Sequence, residues 1–383
     1  MADDRKTVWL YITSLAVGGA EQSLVALANN LDRSRYDVTI WTTFNQNPLA
    51  DQVADDVPVR TLNIDGVVVG EEMATVERAE NPLDYVRAPL RFARAIRAER
   101  PDIVQSYLVY DNTVARIAGL LSSDTTVITG ARGERNLSSL PLQALDRGLV
   151  PLSDYIASNS RAGAEFYVEK GMDPERVTVV PNSRDLDRYR HGDATGLAAE
   201  LDIPQDAVII GNVGRLIERK GQFDVLEAWP RIKEAHPNAH CVFVGDGSER
   251  EALREQVASM GYGESIHLVG TRDDIPALLD LFDVFVFPSH HEGLPGALIE
   301  AMAAELPIVA SAISGNTELI EDERTGLLVP PKNPSALGDA VVSLLDDPAR
   351  AQTLARAARE EAYDRFTLEE MVDAFERLYE SVE

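Results

Sequence analysis

The chain has 383 residues, of which 45% are hydrophobic and 26% charged; this is typical of a soluble globular protein, and the length suits two α/β domains with a cleft between them. No hydrophobic run approaches the roughly 18 residues of a membrane-spanning helix, so we expect no transmembrane helix. The 63 acidic and 36 basic residues give a net charge of −27, which argues against nucleic acid as a partner.

In chain order, a few charged residues lead directly into an apolar run at residues 8–13, without the apolar segment and cleavage site of a signal peptide. We therefore expect a cytoplasmic protein. Further strand-like runs alternate with segments of helical period, which predicts βαβ units with a parallel sheet. These runs occupy residues 37–43, 102–108, 125–130, 154–160 and 176–181.

Residues 65–82 are acidic and lack a clear period, which predicts a mobile loop or insertion to which we assign no role. The helical segment that follows has an arginine at every third or fourth position, beside Leu90, Ala93 and Ile96. The arginines are Arg87, Arg91, Arg94, Arg97 and Arg100. Such a ridge at residues 87–100 would allow peripheral contact with anionic lipid at the inner face of the cell membrane. Alternatively, the apolar residues pack on the sheet and the arginines pair with Asp84 and Glu99.

The alternation weakens at residues 184–206, where we place a domain boundary, and resumes at residue 207. The second series of strand-like runs occupies residues 207–214, 239–247, 265–270, 284–289, 307–311 and 325–330. The architecture therefore repeats although the sequence does not. The last helical segment, residues 368–382, has apolar residues three and four apart and thus one face to bury.

One candidate site lies at residues 289–311, directly after an apolar strand. Glu292 stands at the carboxyl end of that strand, where open parallel sheets bind ligands. A turn then opens a helix whose free N–H groups suit a phosphate. The turn is Gly293, Leu294, Pro295 and Gly296. One to two turns later, Glu300 could accept hydrogen bonds from the vicinal hydroxyls of a ribose, while Glu292 meets a sugar hydroxyl. Two isolated glutamates are more often solvated surface residues, but this setting favours a site.

A second candidate site is the loop after the run at residues 207–214, where Arg215 and Lys220 stand at another strand end. Their charges could stabilise a departing nucleoside diphosphate without a metal, although two isolated loop cations are more often solvated. Lysine is scarce elsewhere in the chain, and the carboxylate-rich surface indicates adaptation to high salt, an ordinary acidic surface being the alternative. We interpret the adjacent His290 and His291 as loop residues and predict no metal site, because with one carboxylate they cannot bind zinc tetrahedrally.

The ordered set of motifs resembles the retaining glycosyltransferases of family four, which have the GT-B fold. The motifs are GRL…KG at residues 214–221, GDG at 245–247, HEGLPGALIEAMA at 291–303, GNTELI…TGLLVPP at 315–331 and, more loosely, GGAE at 18–21, ARGERN at 131–136 and VTVVPNS at 177–183. The resemblance implies two Rossmann-like domains whose parallel sheets face across a cleft. We place these at residues 1–185, joined by a returning C-terminal helix at 366–383, and at residues 206–362.

The resemblance also implies the reaction: transfer of a hexose-type sugar from a UDP- or GDP-sugar to a glycan or lipid-linked acceptor, with retention and without metal or cofactor. Arg215 and Lys220 would hold the donor diphosphate, Glu300 the ribose, and Glu292 with the main chain of residues 293–295 the transferred sugar. The glycine loop at Gly18 and Gly19 would approach the donor phosphate.

The sequence departs from the family on the acceptor side. Many members have a histidine pair after the strand that precedes the acceptor site, whereas this chain has Gln105 and Tyr107 there. A histidine base is therefore not expected at this place, which a retaining mechanism tolerates if the leaving phosphate takes the acceptor's proton. The acceptor-side candidates are Tyr107, Asn112, Arg132, Arg135 and Asn136.

Three alternative functions have weaker support in the sequence. A nicotinamide-dependent oxidoreductase lacks support because no G-x-G-x-x-G follows the first strand. A sugar-nucleotide epimerase of the same fold would share a diphosphate site but needs acid and base carboxylates flanking the sugar. A non-catalytic glycosyltransferase-like subunit would fit the residues at 105 and 107.

Overall fold

The structure is a computed structural model. It describes residues 5–16, 18–69, 75–79, 81, 83–122, 124–131, 148–183 and 185–382, with the backbone alone at 67–69, 75–79 and 85. The chain divides into two compact units, Met1–Ser183 with Leu368–Glu383, and Arg184–Thr367. Each unit contains one large parallel sheet, so the predicted α/β class with two Rossmann-like halves is confirmed.

The described residues of the N-terminal unit form nine strands. They are β1 (Lys6–Ile12), β2 (Tyr36–Phe44), β3 (Val59–Ile64), β4 (Gly66–Val69), β5 (Thr75–Ala79), β6 (Ile103–Ser106), β7 (Thr126–Ala131), β8 (Tyr155–Ser158) and β9 (Val177–Val179). Seven of them form a parallel sheet in the order β3-β2-β1-β6-β7-β8-β9. The central strand β1 is apolar and fully buried from Val8 to Ile12, because a parallel sheet is covered on both faces.

The helices of this unit cover its sheet. They are α1 (Gly19–Asn30), α2 (Asp84–Glu99), α3 (Val109–Leu120), α4 (Arg161–Glu169) and, from the end of the chain, α13 (Leu368–Ser381). The apolar face of α13 is buried in the N-terminal core through Met371, Phe375 and Leu378. Lys6 Nζ donates hydrogen bonds to the carbonyls of Tyr379 (2.7 Å) and Val382 (3.0 Å), which places a cation at the negative end of this helix.

The segment that follows β3 is more regular than its sequence indicates. β4 pairs antiparallel with β5, with Gly66 opposite Ala79 and Val69 opposite Thr75. The predicted mobile loop or insertion at residues 65–82 therefore contains a separate two-stranded sheet. The short valine run at 67–69 has high β-propensity, which the acidic composition of the wider segment conceals.

The C-terminal unit contains six strands. They are β10 (Val208–Val213), β11 (Ala239–Val244), β12 (Ile266–Gly270), β13 (Val284–Phe287), β14 (Ile308–Ser311) and β15 (Leu327–Val329). They form one parallel sheet in the order β12-β11-β10-β13-β14-β15. The strand order reverses between β10 and β13, and ligands of open α/β sheets bind at such a point, beyond the carboxyl ends of the strands.

Where the structure describes this unit, eight helices accompany the sheet. They are α5 (Leu197–Glu200), α6 (Gln222–Ala235), α7 (Arg250–Met260), α8 (Ile275–Leu281), α9 (Gly296–Ala303), α10 (Ser314–Thr317), α11 (Pro334–Asp346) and α12 (Pro348–Arg365). Among the described residues, no helix has the length and apolarity needed to cross a membrane.

Residues 186–203, which the prediction left between its two domains, belong to the C-terminal core. Leu186, Tyr189, Leu197 and Ile203 are buried there, and Tyr363 Oη donates to the Leu186 carbonyl at 2.8 Å. The segment appears irregular in sequence because it consists of short turns, in which isolated apolar residues with no helical or strand period are buried.

Candidate active site

The candidate site of the C-terminal unit lies at the carboxyl ends of β10 and β13. The turn after β10 carries Arg215 and, in a short 3₁₀ helix at Glu218–Lys220, the second predicted cation. The loop after β13 carries Glu292 and leads into α9. Because these two strands are neighbours at the reversal of strand order, residues far apart in sequence meet at one edge of the sheet.

Lys220 and Glu292 form an ion pair at this edge. Lys220 Nζ is 2.6 Å from Glu292 Oε1, and their side chains are 14% and 9% exposed. Burial lowers the pKa of Lys220, while the carboxylate of Glu292 opposes that shift. Arg219 adds a second positive charge 3.5 Å from Glu292 Oε2. The pair is thus desolvated, and its carboxylate is held between two cations.

The turn and the loop are also joined through their backbones. The N–H of His290 donates to the Arg219 carbonyl at 2.7 Å, and Arg219 Nη1 donates to the His291 carbonyl at 3.0 Å. Gly221 allows this approach, because a Cβ there would lie 2.2 Å from the Pro288 carbonyl oxygen. Its φ of +72° is also in the left-handed region that glycine tolerates best.

Two buried amides, which the sequence analysis missed, support the turn at Arg215. Gln222 Nε2 donates to the Arg215 carbonyl at 3.1 Å and to Asn212 Oδ1 at 3.3 Å. Asn212 Nδ2 donates to the Val286 carbonyl at 2.8 Å, which ties the end of β10 to β13. The Arg215 side chain itself is exposed. The signal available in the sequence was an asparagine inside an otherwise apolar strand, since buried amides need partners.

The segment from residue 293 to α9 is packed closely against the next strand end. A Cβ on Gly315 would lie 2.1 Å from the Gly293 carbonyl oxygen, and Ser311 Oγ donates to the Ser289 carbonyl. Leu294 belongs to the hydrophobic core, so the main chain is the part of this residue that can face a ligand. Pro295 precedes the first turn of α9, and Glu300 lies half-buried in the second turn.

His290, interpreted from sequence as a loop residue, has a defined partner. Its Nε2 lies 2.9 Å from Asp224 Oδ2 in the first turn of α6, and both side chains are mostly buried. This pair joins the loop after β13 to the helix that follows the Lys220 turn. Within the described ranges, no group of three or more histidine, cysteine or acidic side chains could hold a metal ion.

The glycine pair predicted to approach a phosphate lies at the start of α1 in the N-terminal unit. Gly18 caps this helix and Gly19 is its first residue. A Cβ on Gly18 would lie 2.3 Å from Glu21 Oε2, so the Glu21 carboxylate stands beside the helix start. A carboxylate there interacts favourably with the positive end of the helix dipole, which is the same feature that would attract a phosphate.

Two acceptor-side predictions are corrected by the structure. Tyr107 is 1% exposed, and its hydroxyl accepts a hydrogen bond from Gln105 Nε2 (2.8 Å), while Gln105 Oε1 accepts one from Tyr379 Oη (2.6 Å). Asn112 is fully buried and links the ends of β6 and β7 through Ser106 Oγ (2.7 Å) and the Gly130 carbonyl (2.8 Å). Both residues therefore stabilise the core instead of facing an acceptor. Arg132, Arg135 and Asn136 lie outside the described residues.

Comparison with known proteins gives matches to both units. The family model described as Glycosyltransferase Family 4 matches residues 17–188, and that described as Glycosyl transferases group 1 matches residues 195–361. The glycogen synthase of Mycobacterium tuberculosis is 28% identical over 392 aligned residues, which cover 97% of this chain and 92% of that protein.

A second relative is the UDP-Gal:alpha-D-GlcNAc-diphosphoundecaprenol alpha-1,3-galactosyltransferase of Escherichia coli, 27% identical over 75% of this chain and 77% of that protein. Among solved structures, HepE of Anabaena in complex with UDP has a TM-score of 0.82 at 20% identity, over 98% of this chain and 100% of that one. Since the family models match both units and the fold agrees, the chain belongs to glycosyltransferase family four and has the GT-B fold.

Proposed function

We propose that this glycosyltransferase moves a hexose-type sugar from a UDP- or GDP-sugar to a glycan or lipid-linked acceptor, with retention and without a metal, in polysaccharide or glycoconjugate synthesis on the cytoplasmic side of the membrane. The observation that carries the proposal is the buried Lys220–Glu292 pair beside the Arg215 turn, at the reversal of strand order. It combines cations for a diphosphate with a carboxylate for a sugar hydroxyl.

In this proposal the ion pair is exchanged when the donor binds. The diphosphate takes over Lys220, together with the exposed Arg215, because two charged phosphate groups attract these cations more strongly than one carboxylate, which can bind elsewhere. Glu292 is then available to accept a hydrogen bond from the transferred sugar. Glu300 would hold the ribose hydroxyls, and the free N–H groups of α9 would face a phosphate oxygen.

Retention is the outcome that the family resemblance implies, and the residues at positions 105 and 107 are compatible with it. Gln105 and Tyr107 are buried and bonded to each other, so neither accepts the proton of an acceptor hydroxyl. The departing phosphate oxygen is the base that remains in the proposal, and it would take that proton on the same face of the sugar. Arg215 and Lys220 would supply the positive charge that a metal supplies elsewhere.

The names of related proteins make UDP-sugars the first donors to test. The Escherichia coli relative is named for UDP-Gal and a diphosphoundecaprenol-linked acceptor, and the Anabaena structures contain UDP, UDP and glucose, or UDP-glucose. The first of these also supports a lipid-linked acceptor, for which residues 87–100 would provide the membrane contact.

Incubation with a panel of UDP- and GDP-sugars tests the proposed function. Slow release of free nucleoside diphosphate with one donor is expected, because water replaces the acceptor at a low rate. Conversion of the donor into its epimer would instead support the epimerase. If every donor is bound and none is hydrolysed, the non-catalytic subunit is supported. Arg254→Gln, which changes an exposed arginine of α7 that is ion-paired with Glu251, is a suitable control variant.

We further propose that the protein is adapted to high salt. The melting temperature and the rate of donor hydrolysis are expected to rise together from about 50 mM to about 1 M KCl, because the repulsion within a net charge of −27 is screened as the Debye length shortens. Thermal unfolding followed by circular dichroism at several KCl concentrations measures this. A melting temperature and activity independent of salt would contradict the adaptation.

A further inference from the structure

Helices α2 and α3, together with the residues that cap them, carry most of the large hydrophobic side chains that are exposed within the described part of the chain. These are Leu83, Val86, Leu90, Val109, Leu120 and Leu121, whereas one other, Val59, begins β3. Val86 is 65% exposed and Leu120 is 68% exposed. A concentration of apolar side chains on two neighbouring helices indicates a docking surface, because isolated exposed leucines are scattered in ordinary proteins.

The periodicity of α2 separates two faces. Ala88, Phe92 and Ile96 are buried against the sheet. The opposite side carries Val86 and Leu90, at spacings that place them on one stripe of the helix. Leu90, expected from sequence to lie beside buried residues, is 49% exposed, because the buried face is already filled by the 88, 92 and 96 series.

The predicted arginine ridge is divided by the structure. Arg91 Nη1 donates to the carbonyls of Leu62 (2.7 Å) and Asn63 (2.6 Å), and Arg97 Nε donates to the Leu121 carbonyl (2.7 Å). These two therefore serve the fold. Arg87 is half-exposed beside Asp84, and Arg94 is exposed within the stripe that contains Leu90.

Helices α2 and α3 run in the same direction, because both return from the carboxyl edge of the parallel sheet to its amino edge. At their shared C-terminal end is a cavity of about 440 Å³, lined by Arg97, Arg100, Leu120 and Leu121 among others. Guanidinium groups and leucines thus stand together at this end as well. We name the α2–α3 face by its exposed residues Leu83, Val86, Arg87, Leu90, Arg94, Arg100 and Leu120.

We propose that the α2–α3 face docks on a bilayer of anionic phospholipid. Aliphatic side chains mixed with arginines along a helix are suited to the boundary between headgroups and acyl chains. Arg94 and Arg100 add positive charge to this face beyond the Arg87–Asp84 pair and the Asp124 carboxylate beside the cavity, so the face is complementary to anionic lipid although the whole chain is strongly acidic. A second copy docked through the same face would set arginines against arginines, which disfavours a symmetric dimer. The inference rests on the proposed function in making a lipid-linked acceptor the substrate.

Co-sedimentation with vesicles of phosphatidylglycerol and phosphatidylcholine in equal parts tests the docking, at about 150 mM and about 1 M KCl. Arg87→Gln with Arg94→Gln is expected to lower the affinity about 30-fold at the lower salt and little at the higher, because screening has already removed the attraction. Val86→Ser with Leu90→Ser is expected to lower it at least about tenfold at both salts, because apolar burial is not screened.

The control is Arg231→Gln with Arg254→Gln, which removes two exposed, ion-paired arginines from the C-terminal unit and should leave vesicle binding unchanged. The proposal is overturned if the wild type stays in the supernatant at both salts, or if the control loses as much binding. It also fails if gel filtration shows that the serine variant dissociates a dimer. Donor hydrolysis without vesicles should be equal in all variants, so docking and the proposed function can fail separately.

Discussion

Replacement of Lys220 by alanine is expected to weaken donor binding by about 10- to 150-fold and to lower kcat by about 100- to 1000-fold. The side chain is buried beside Glu292, so its removal leaves a desolvated diphosphate oxygen without its charged partner. The loss in kcat should exceed the loss in affinity, because negative charge on the departing phosphate is greatest in the transition state. Calorimetric titration with the nucleotide sugar and initial rates measure the two quantities.

The matched control is Lys233→Ala. Lys233 Nζ donates to the carbonyls of Pro237 and Ala239, at the amino end of β11 and thus opposite the strand ends that carry the site. The Lys233 variant therefore also loses a lysine with structural hydrogen bonds. It should retain donor affinity. Equal affinity in the Lys220 variant and the wild type, with both folded by circular dichroism, would remove Lys220 from the donor site.

The same site predicts how donor affinity depends on pH. Burial lowers the pKa of Lys220, and Glu292 opposes this shift. The diphosphate needs the protonated amine, so affinity should be constant below that pKa and should fall as the pH rises through it. Glu292→Gln removes the opposing carboxylate, which lowers the pKa of Lys220 further and moves the fall to lower pH. Titrations from neutral pH to about pH 10 would contradict this if the two profiles coincide.

Replacement of Gly221 by alanine is expected to reduce the free energy of unfolding by about 2–4 kcal/mol and to weaken donor binding at least about tenfold. The left-handed φ of +72° strains any residue with a Cβ, and that Cβ would lie 2.2 Å from the Pro288 carbonyl oxygen. The turn must therefore move away from the loop after β13, and this movement separates Lys220 from Glu292. Urea unfolding and donor titration measure the two effects.

Gly261 provides the control for backbone strain alone. It has a similar φ of +76° at the end of α7, but a Cβ there would meet nothing within 4 Å. Gly261→Ala should cost about 1–2 kcal/mol of stability and leave donor affinity unchanged. If the two alanine variants are equally stable and bind donor equally, the close approach at Pro288 has no functional consequence.

Local pattern determined much of this protein in advance. Alternating apolar runs predicted two parallel sheets, and the order of the motifs placed Lys220 and Glu292 at strand ends. The start of α11 is also encoded by neighbouring residues: Asn333 Oδ1 accepts a hydrogen bond from the Ala336 N–H, and Pro334 is the first residue of the helix. Periodicity and capping depend on neighbours within a few residues, so the sequence alone contains them.

Partnership between distant residues was decided by the tertiary structure. Tyr107 and Asn112 are acceptor-side candidates by sequence, yet both are buried in the structure. Gln105 donates a hydrogen bond to Tyr107 and accepts one from Tyr379, which lies on a helix from the end of the chain. Leu90 belongs to an apolar series but is exposed, because only the opposite face of α2 packs on the sheet. The Lys220–Glu292 contact likewise exists because β10 and β13 are neighbours, and strand order is a property of the folded sheet that no local pattern contains.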